Sequence, residues 1–201
     1  MSKNSAEHIS LSLPTGSPDG TPVGIAPVPP KGIALKPGQV VCGDLDMRID
    51  RAGVWHYQGS PIGRKELVRL FSTVLRRDEA GDYWLITPAE AGRLKVEDAP
   101  FLAVEMTLSG SGPDQIISMR TNMDALVTVD SGHPIRVDID TETSEPSPYL
   151  VMDGGIEALI TRAVYYELVS LGQEQDLEGD GAFGIWSSGC FFPLGHLEPR
   201  L

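Results

Sequence analysis

Apolar and charged residues alternate from about Val40 onwards, and this alternation predicts a pair of β-strands. The first strand is indicated by apolar residues at every second position, namely Leu45, Met47 and Ile49. A second, shorter strand is indicated by Val54, Trp55 and Tyr57. Turn-forming residues at 51–53 separate the two segments, so we expect a β-hairpin here.

The segment that follows has the spacing of an amphipathic helix. Its apolar residues recur at i, i+3, i+4, i+7 and i+8 and form one face, namely Leu67, Leu70, Phe71, Val74 and Leu75. Its basic residues lie on the opposite face and at the end, namely Arg64, Lys65, Arg69, Arg76 and Arg77. The pattern predicts a basic helix over residues 64–77, with its last arginines at the C-terminal end, where cations are favoured.

The rest of the chain predicts further strands and a second helix. Strands are expected at residues 83–87, within 94–106 as two short strands or one bulged edge strand, and within 116–140 as two or three strands. Apolar residues at helical spacing predict an amphipathic helix over about residues 155–171. The apolar, glycine-rich segment 182–196 predicts a buried strand and a return turn.

The pattern G-x-P-I occurs twice, at residues 59–62 and 132–135. Each copy is surrounded by predicted strands, and each half of the chain contains one amphipathic helix. We interpret this as a sign of duplication and expect an α+β fold of two small subdomains, each with mainly antiparallel sheet and one long helix. The expected bounds are residues 38–108 for the N-terminal subdomain and 109–201 for the C-terminal one.

Residues 1–37 are rich in proline, glycine, serine and threonine and show no apolar periodicity. Seven prolines remove backbone donors and favour extended conformations. We therefore expect a disordered tail, which serves either as a solubilising linker or as a docking segment for a proline-reading partner.

The net charge of −12 is concentrated in the second half of the chain. Residues 1–100 contain 12 basic and 12 acidic side chains, whereas residues 101–201 contain 4 basic and 16 acidic ones. A globally acidic chain disfavours non-specific binding to nucleic acid, so such binding would need the local basic helix. The asymmetry suggests that the halves differ in role or face each other across a complementary boundary.

The sequence lacks the motifs that are typical of several functional classes. No apolar run is long enough for a membrane helix, and the N-terminal residues lack the apolar stretch of a secretory signal, so we expect a soluble, cytoplasmic protein without membrane partners. No nucleophile elbow, P-loop or dinucleotide-binding pattern is present. His56 and His133, together with Asp98 or Glu105, would be the ligands of any metal site, but their spacing matches no metal motif. We expect no cofactor, no bound metal and no catalytic residue.

The chain resembles the bacterial DUF1285 family in a series of segments that occur in order. They include "GVWHYQGSPIGRKELVRLF", "TNMDALVTVDSGHPIRVDI", "PSPYLVMDGGIEALITRAVYYELVSLG" and "WSSGCFFPLG". The resemblance covers about residues 44–195 and implies two related α+β subdomains, the second loosely like a pleckstrin-homology domain. It also implies a binding role in signalling, with the ligand near the subdomain boundary. The chain departs from the family in its Pro-rich tail and at Asp124-Ala125, where Gly-Asp is expected.

Three functional hypotheses follow, and they belong to different classes. The first is a non-enzymatic module that binds a ligand or partner in a groove between the subdomains, with a protein or peptide favoured as partner. The candidate binding residues are Trp55, His56, Arg69, Arg76, His133, Arg136 and Trp186. The second is a nucleic-acid-binding protein that uses the basic helix 64–77, and the third is a metal-assisted enzyme. The sequence does not indicate an oligomeric state.

Overall fold

A computed structural model of the chain describes residues 27–177 and 180–196. Most of the predicted disordered tail, residues 1–26, lies outside the described residues. The last part of that segment packs against the first subdomain. The backbone N–H of Lys31 donates to Asp78 Oδ2 at 3.1 Å, and the N–H of Glu79 donates to the Lys31 carbonyl at 3.1 Å.

The first subdomain is a six-stranded sheet with one helix. Its strands are β1 (Val40–Ile49), β2 (Trp55–Tyr57), β3 (Ser60–Pro61), β4 (Leu75–Arg77), β5 (Tyr83–Ile86) and β6 (Glu90–Val96). They lie in the order β3-β2-β1-β6-β5-β4, and only the central pair, β1 and β6, is parallel. Helix α1 (Lys65–Thr73) connects β3 to β4. The predicted hairpin is confirmed by the antiparallel pairing of β1 with β2.

The second sheet repeats this arrangement. Its strands are β7 (Phe101–Ser109), β8 (Ile116–Thr121), β9 (Leu126–Thr128), β10 (Ile135–Ile139), β11 (Pro146–Val151) and β12 (Glu157–Ile160). They lie in the order β10-β11-β12-β7-β8-β9. Numbered from its own first strand, this is the order of the first sheet, again with the first and sixth strands paired parallel at the centre. The fold is therefore α+β with two subdomains, as the sequence predicts.

The two G-x-P-I segments occupy corresponding places in the two sheets. Residues 59–62 contain β3, the third strand of the first sheet, and lead into α1. Residues 132–135 follow β9, the third strand of the second sheet, and end at the first residue of β10. In both subdomains the pattern thus marks the passage from the third strand to the fourth, and only the first subdomain has a helix at that point.

After β12 the chain forms helix α2 (Arg162–Ser170) and a third, antiparallel sheet. Its strands are β13 (Gln173–Leu177), β14 (Asp180–Ser187) and β15 (Cys190–His196). Helix α2 contacts β7 and β14, and it buries Val164 and Leu168 against them. The third sheet is bound to the second through Ser187, whose Oγ accepts from the Ile117 N–H at 3.0 Å and donates to the Val129 carbonyl at 2.6 Å.

Both predicted helices are shorter than the sequence indicates. The helix expected over residues 64–77 ends at Thr73, and Arg76 and Arg77 lie in β4, paired with β5. The helix expected over residues 155–171 is wrong in its first half, because residues 157–160 form β12 and pair with both β11 and β7. Those pairings satisfy the backbone groups in the centre of the sheet, which a helix there would leave without partners.

The subdomain boundary lies just before β7, since this strand belongs entirely to the second sheet. The expected boundary near residue 108 falls inside β7. The buried apolar residues of both sheets nevertheless form one continuous core. No helix within residues 27–177 and 180–196 combines the length and the hydropathy needed to cross a bilayer.

Candidate ligand-binding site

A cleft of about 430 Å³ lies where the two subdomains meet. One wall is formed by α1 and β4, and the other by the β8–β9 turn, the loop before β10 and the loop between β11 and β12. The apolar part of its lining consists of Leu75, Phe101, Met123, Ala125, Val127, Met152 and Ile156. Its charged and imidazole side chains are Arg69, Arg76, Asp124, His133 and Asp153. An apolar floor with a few convergent polar groups is the usual composition of a small-molecule site.

Asp124 receives cations from both subdomains at the mouth of this cleft. Its Oδ2 lies 3.0 Å from Lys65 Nζ and 3.4 Å from Arg69 Nη1, while its Oδ1 lies 3.1 Å from Arg120 Nη1. The hydrogen bond from Lys65 is the main cause that lowers the pKa of Asp124, and the nearby arginines add to it. Glu105 is the second carboxylate of this group. When Arg76 and Asp153 of the cleft lining are added, four cations face three carboxylates, so the mouth carries a small positive excess.

The backbone conformation of Asp124 places its carboxylate towards α1. Its φ of +64° lies in the left-handed region, where Asp is better tolerated than most residues. The turn is closed by the Asp124 N–H, which donates to the Thr121 carbonyl at 2.9 Å. The Thr121 hydroxyl oxygen also accepts from the N–H groups of Met123 and Ala125. Asp124 and Ala125 of this turn both line the cleft.

Arg76 is the cation of the cleft that has no carboxylate partner among residues 27–177 and 180–196. Its Nη1 donates to the carbonyls of Thr73 at 3.0 Å and Leu75 at 2.6 Å. These two bonds engage the carbonyls of the last residue of α1 and the first residue of β4, and they fix the guanidinium beside the cleft. The positive charge itself remains unneutralised, and the side chain is exposed.

His133 lies on the opposite wall, held by the turn that contains the second G-x-P-I segment. Asp130 Oδ1 accepts from the backbone N–H groups of His133 at 2.9 Å and Gly132 at 2.8 Å. These two bonds lower the pKa of Asp130. The imidazole Nε2 lies 3.3 Å from Asp153 Oδ1. The other ring nitrogen, Nδ1, is buried and lies 3.3 Å from Asp130 Oδ1.

Arg136 lies in β10, but its contacts direct it away from the cleft. Its Nε and Nη2 donate to the two carboxylate oxygens of Glu157 at 2.5 and 3.1 Å, and its guanidinium stacks on the ring of Tyr149. Arg77 of the first subdomain lies 3.5 Å from the same carboxylate and donates to the Gly155 carbonyl at 3.0 Å. Glu157 therefore binds one arginine from each subdomain, and Arg136 is a structural residue of the boundary.

Three other candidates also lie outside the cleft. Trp55 is buried in the core of the first subdomain and stacks on Phe71 with 6.4 Å between ring centroids. His56 is buried and pairs through Nε2 with Asp50 at 2.8 Å. Trp186 lies in the third sheet and packs on Phe191. Of the seven candidate residues, the cleft brings together Arg69, Arg76 and His133.

The sequence analysis missed the residues that complete the cleft, namely Phe101, Met123, Asp124, Met152 and Asp153. The signal that could have identified part of this set is the turn between β8 and β9, because a polar turn beside a basic helix offers it a charge partner. The apolar members have the pattern of ordinary core residues and carry no separate signal.

Other grooves are present, but they lack this combination of groups. One of about 470 Å³ lies on the far side of α1 and is mainly apolar, lined by Met47, Tyr57, Ser60, Pro61, Ile62, Leu67 and Phe71. In the part of the chain that the structure describes, no group of three or more His, Cys, Asp or Glu side chains is placed to hold a metal ion. The boundary cleft is therefore the candidate site.

The fold and the cleft define a two-subdomain α+β protein whose site is built by both halves. Comparison with protein families assigns each half. Residues 36–99 match the family described as "Domain of unknown function (DUF1285), N-terminal domain", and residues 100–194 match "Protein of unknown function (DUF1285), C-terminal domain". The chain belongs to the DUF1285 family, as the sequence resemblance indicates. The two family domains meet directly before β7, where the second sheet begins.

Two solved structures of DUF1285 family proteins are similar to this chain. The crystal structure of a DUF1285 family protein from Silicibacter pomeroyi DSS-3 is 42% identical in sequence, with a TM-score of 0.74, over 84% of this chain and 91% of that one. A DUF1285 family protein from Shewanella baltica OS155 is 26% identical over 63% of this chain and 91% of that one, with a TM-score of 0.48. No curated protein matches the chain.

Proposed function

We propose that the chain is a non-enzymatic module that binds a ligand or a partner segment in the cleft between its subdomains. The observation that carries this proposal is the composition of the cleft, an apolar floor bordered by Arg69, Arg76 and His133. Both subdomains contribute to it, so an occupant contacts both. Sites of this kind occur preferentially at domain boundaries.

The polar side chains of the cleft favour binding over catalysis. The hydroxyl groups of Ser72 and Thr73 each donate to a carbonyl of α1, at 2.7 Å to Arg69 and 2.7 Å to Leu70. A catalytic hydroxyl requires a general base within hydrogen-bonding distance. These hydroxyls are instead engaged with the helix backbone, and the imidazole of His133 is paired with Asp153 on the opposite wall.

The nucleic-acid alternative is less well supported by the environment of the basic residues. Lys65 and Arg69 pair with Asp124, and Arg77 pairs with Glu157. The phosphates of a nucleic acid would have to compete with these carboxylates. Both carboxylates belong to the second subdomain, which carries most of the negative charge of the chain. The metal-assisted enzyme is also not favoured, because its proposed ligands His56 and Asp98 are hydrogen-bonded to other side chains, Asp50 and Tyr149.

A role in bacterial signalling, in the cytoplasm, is consistent with this site. A ligand seated between two subdomains alters the contacts of both, so its binding is communicated across the boundary. A protein or peptide that binds at this boundary would then distinguish the ligand-bound cleft from the empty one.

A matched pair of variants tests the proposal. Ala125→Trp places an indole into the cleft, whereas Leu126→Trp places one on the neighbouring residue, which is 69% exposed and does not line the cleft. A set of small acids, neutral amphiphiles, bases and short peptides is screened by NMR against the labelled protein. We expect chemical-shift changes to cluster at the cleft in the wild type and in Leu126→Trp, and to be lost in Ala125→Trp.

The screen also provides the outcome that rejects the proposal. If Ala125→Trp binds the same compounds with unchanged affinity, the cleft is not the site. A steep loss of affinity with salt for an oligonucleotide, insensitive to both substitutions, would instead favour the basic helix as a nucleic-acid surface.

A further inference from the structure

We infer that the occupant of the cleft is a small amphipathic carboxylate, with one carboxylate group on an unbranched apolar chain. This inference rests on the proposed function and specifies the chemistry of its ligand. It follows from three properties of the cleft, which are the sign of its charge, the number of charges it tolerates and the shape of its apolar floor.

The charge at the mouth of the cleft attracts an anion. Lys65, Arg69 and Arg120 share Asp124, and Arg76 has no acidic partner among the described residues. The excess is local, since the chain as a whole carries a charge of −12. An anion bound here gains a charge-assisted hydrogen bond that a neutral or cationic compound does not.

The same rim limits the ligand to a single negative charge. Asp124 and Asp153 line the cleft together with the arginines, so a second charge on the ligand would lie close to a carboxylate. Like charges at such short range are unfavourable, and the effect is larger at the half-buried Asp124 than at Asp153, whose fully exposed side chain is screened by solvent. This argues against multiply charged phosphates and in favour of a monoanion.

The geometry of Arg76 suits a carboxylate. Its Nη1 is bound to the carbonyls of Thr73 and Leu75, which leaves the N–H groups of Nε and Nη2 as a fork of two donors. Such a fork matches the two oxygens of a carboxylate in a bidentate contact. The two backbone bonds hold the guanidinium in place, so little side-chain freedom is lost when a ligand binds.

The apolar floor is suited to an unbranched chain. Phe101 and Ile156 are buried and form fixed surface, while Met123 and Met152 are unbranched and adapt to the outline of a ligand. The volume of about 430 Å³ is within the range of small-molecule sites and accommodates a chain of several carbons. Burial of that chain would supply most of the affinity and the rim would select its head group.

The experiment measures binding of hexanoate, octanoate and octanol to the full chain by isothermal titration calorimetry at constant salt. We expect octanoate to bind about fifteenfold more tightly than hexanoate, because each buried methylene contributes about fourfold. Octanol, which has the same chain without the charge, should bind at least about tenfold more weakly than octanoate.

The variant Arg76→Gln tests the head-group contact. It should reduce the affinity for octanoate by about tenfold and leave that for octanol unchanged, so that the preference for the acid disappears. Arg162→Gln is the matched control, because Arg162 is an exposed arginine at the start of α2 and does not line this cleft. If Arg76→Gln does not fold, the comparison of octanoate with octanol on the wild type decides the question alone.

The outcomes separate this inference from the proposed function. Equal binding of octanoate and octanol, or binding at the cleft by neutral or basic compounds in place of acids, would overturn the carboxylate and leave the binding module intact. Failure of every compound class to bind in a manner sensitive to Ala125→Trp would overturn both.

Discussion

The carboxylate of Asp124, in the turn between β8 and β9, lies 3.0 Å from the ammonium group of Lys65 at the start of α1. The two residues belong to different subdomains, so this ion pair spans the mouth of the cleft. Its side chains are substantially exposed, with relative accessibilities of 57% for Lys65 and 30% for Asp124. The ion pair therefore orients the two walls of the cleft. Because it is exposed to solvent, dissolved salt weakens it by screening.

The substitution Asp124→Asn should have a small effect on stability that depends on salt. It removes the shared partner of three cations, and we expect the Tm to fall by about 2 °C at low ionic strength and by less at about 1 M salt. Thermal unfolding at the two salt concentrations measures this. Asp114→Asn, at an exposed position in the loop before β8, is the control. A loss of Tm that is equally large at high salt would contradict an electrostatic role.

Glu157 should be the more important carboxylate of the boundary. It is largely buried and binds Arg136 and Arg77 together, so Glu157→Gln removes the carboxylate partner of Arg77 and leaves Arg136 with Asp138 alone. We expect a loss of about 3 kcal/mol in the free energy of unfolding, measured by urea denaturation. Glu105→Gln, which removes the exposed partner of Arg120, should cost less than about 1 kcal/mol. Equal losses in the two variants would show that burial of the pair has no influence.

Local patterns were sufficient to predict much of the fold. The hairpin of β1 and β2 and the start of α1 are set by neighbouring residues, through alternation, turn chemistry and a single apolar face. The repeated G-x-P-I pattern also pointed to two related halves, and both sheets have the same strand order. These features are encoded within short windows of sequence.

The error over residues 155–171 has a different origin. Ile156 and Ile160 fit a helical spacing, but the burial of Ala158 and Ile160 also fits the alternation of a strand. The strand conformation is selected by β7, because residues 101–103 of β7 form a parallel ladder with β12. A long-range pairing of this kind is not visible in a local window, so a tertiary contact overrides the local preference.

The site was harder to predict than the fold, for the same reason. Arg69, Arg76 and His133 were identified because cations and histidines near turns carry a chemical signal. Asp124 meets Arg69 only after both subdomains have folded, and Met152 resembles any other core residue. Trp55 is buried in the core and the partly buried Trp186 packs on Phe191, so neither aromatic candidate lines the cleft.

Ser187 should be required for attachment of the third sheet to the second. Its buried hydroxyl accepts from the Ile117 N–H and donates to the Val129 carbonyl. Ser187→Ala leaves the Ile117 N–H buried without this acceptor, while the Val129 carbonyl still accepts from the Ser188 hydroxyl at 3.0 Å, and we expect a loss of about 2 kcal/mol in chemical denaturation. Ser170→Ala, an exposed serine at the end of α2, should be nearly neutral. Faster hydrogen exchange at the Ile117 amide would localise the effect, and an unchanged exchange rate there would contradict it.

Asp78 connects the N-terminal segment to the first sheet and provides a prediction for pH. Its Oδ2 accepts from the Lys31 N–H at 3.1 Å and from the indole N–H of Trp84 at 3.0 Å. Its Oδ1 accepts from the N–H groups of Ala80 and Asp82, each at 2.9 Å. Burial by itself would raise the pKa of Asp78, but these four donors favour the ionised form and lower the pKa below its usual value.

Because its pKa is lower in the folded state, ionised Asp78 stabilises the protein above the unfolded carboxyl pKa of about 4, and this contribution is lost as the pH falls through the folded value. Asp78→Ala removes the contribution and leaves the indole N–H of Trp84 buried without its acceptor, so we expect a loss of about 2 kcal/mol at neutral pH. Urea denaturation, followed by tryptophan fluorescence from neutral pH to about pH 3, should show the wild type losing stability faster than the variant below about pH 4. A gap between the two proteins that stays constant over this range would mean that Asp78 does not titrate with folding.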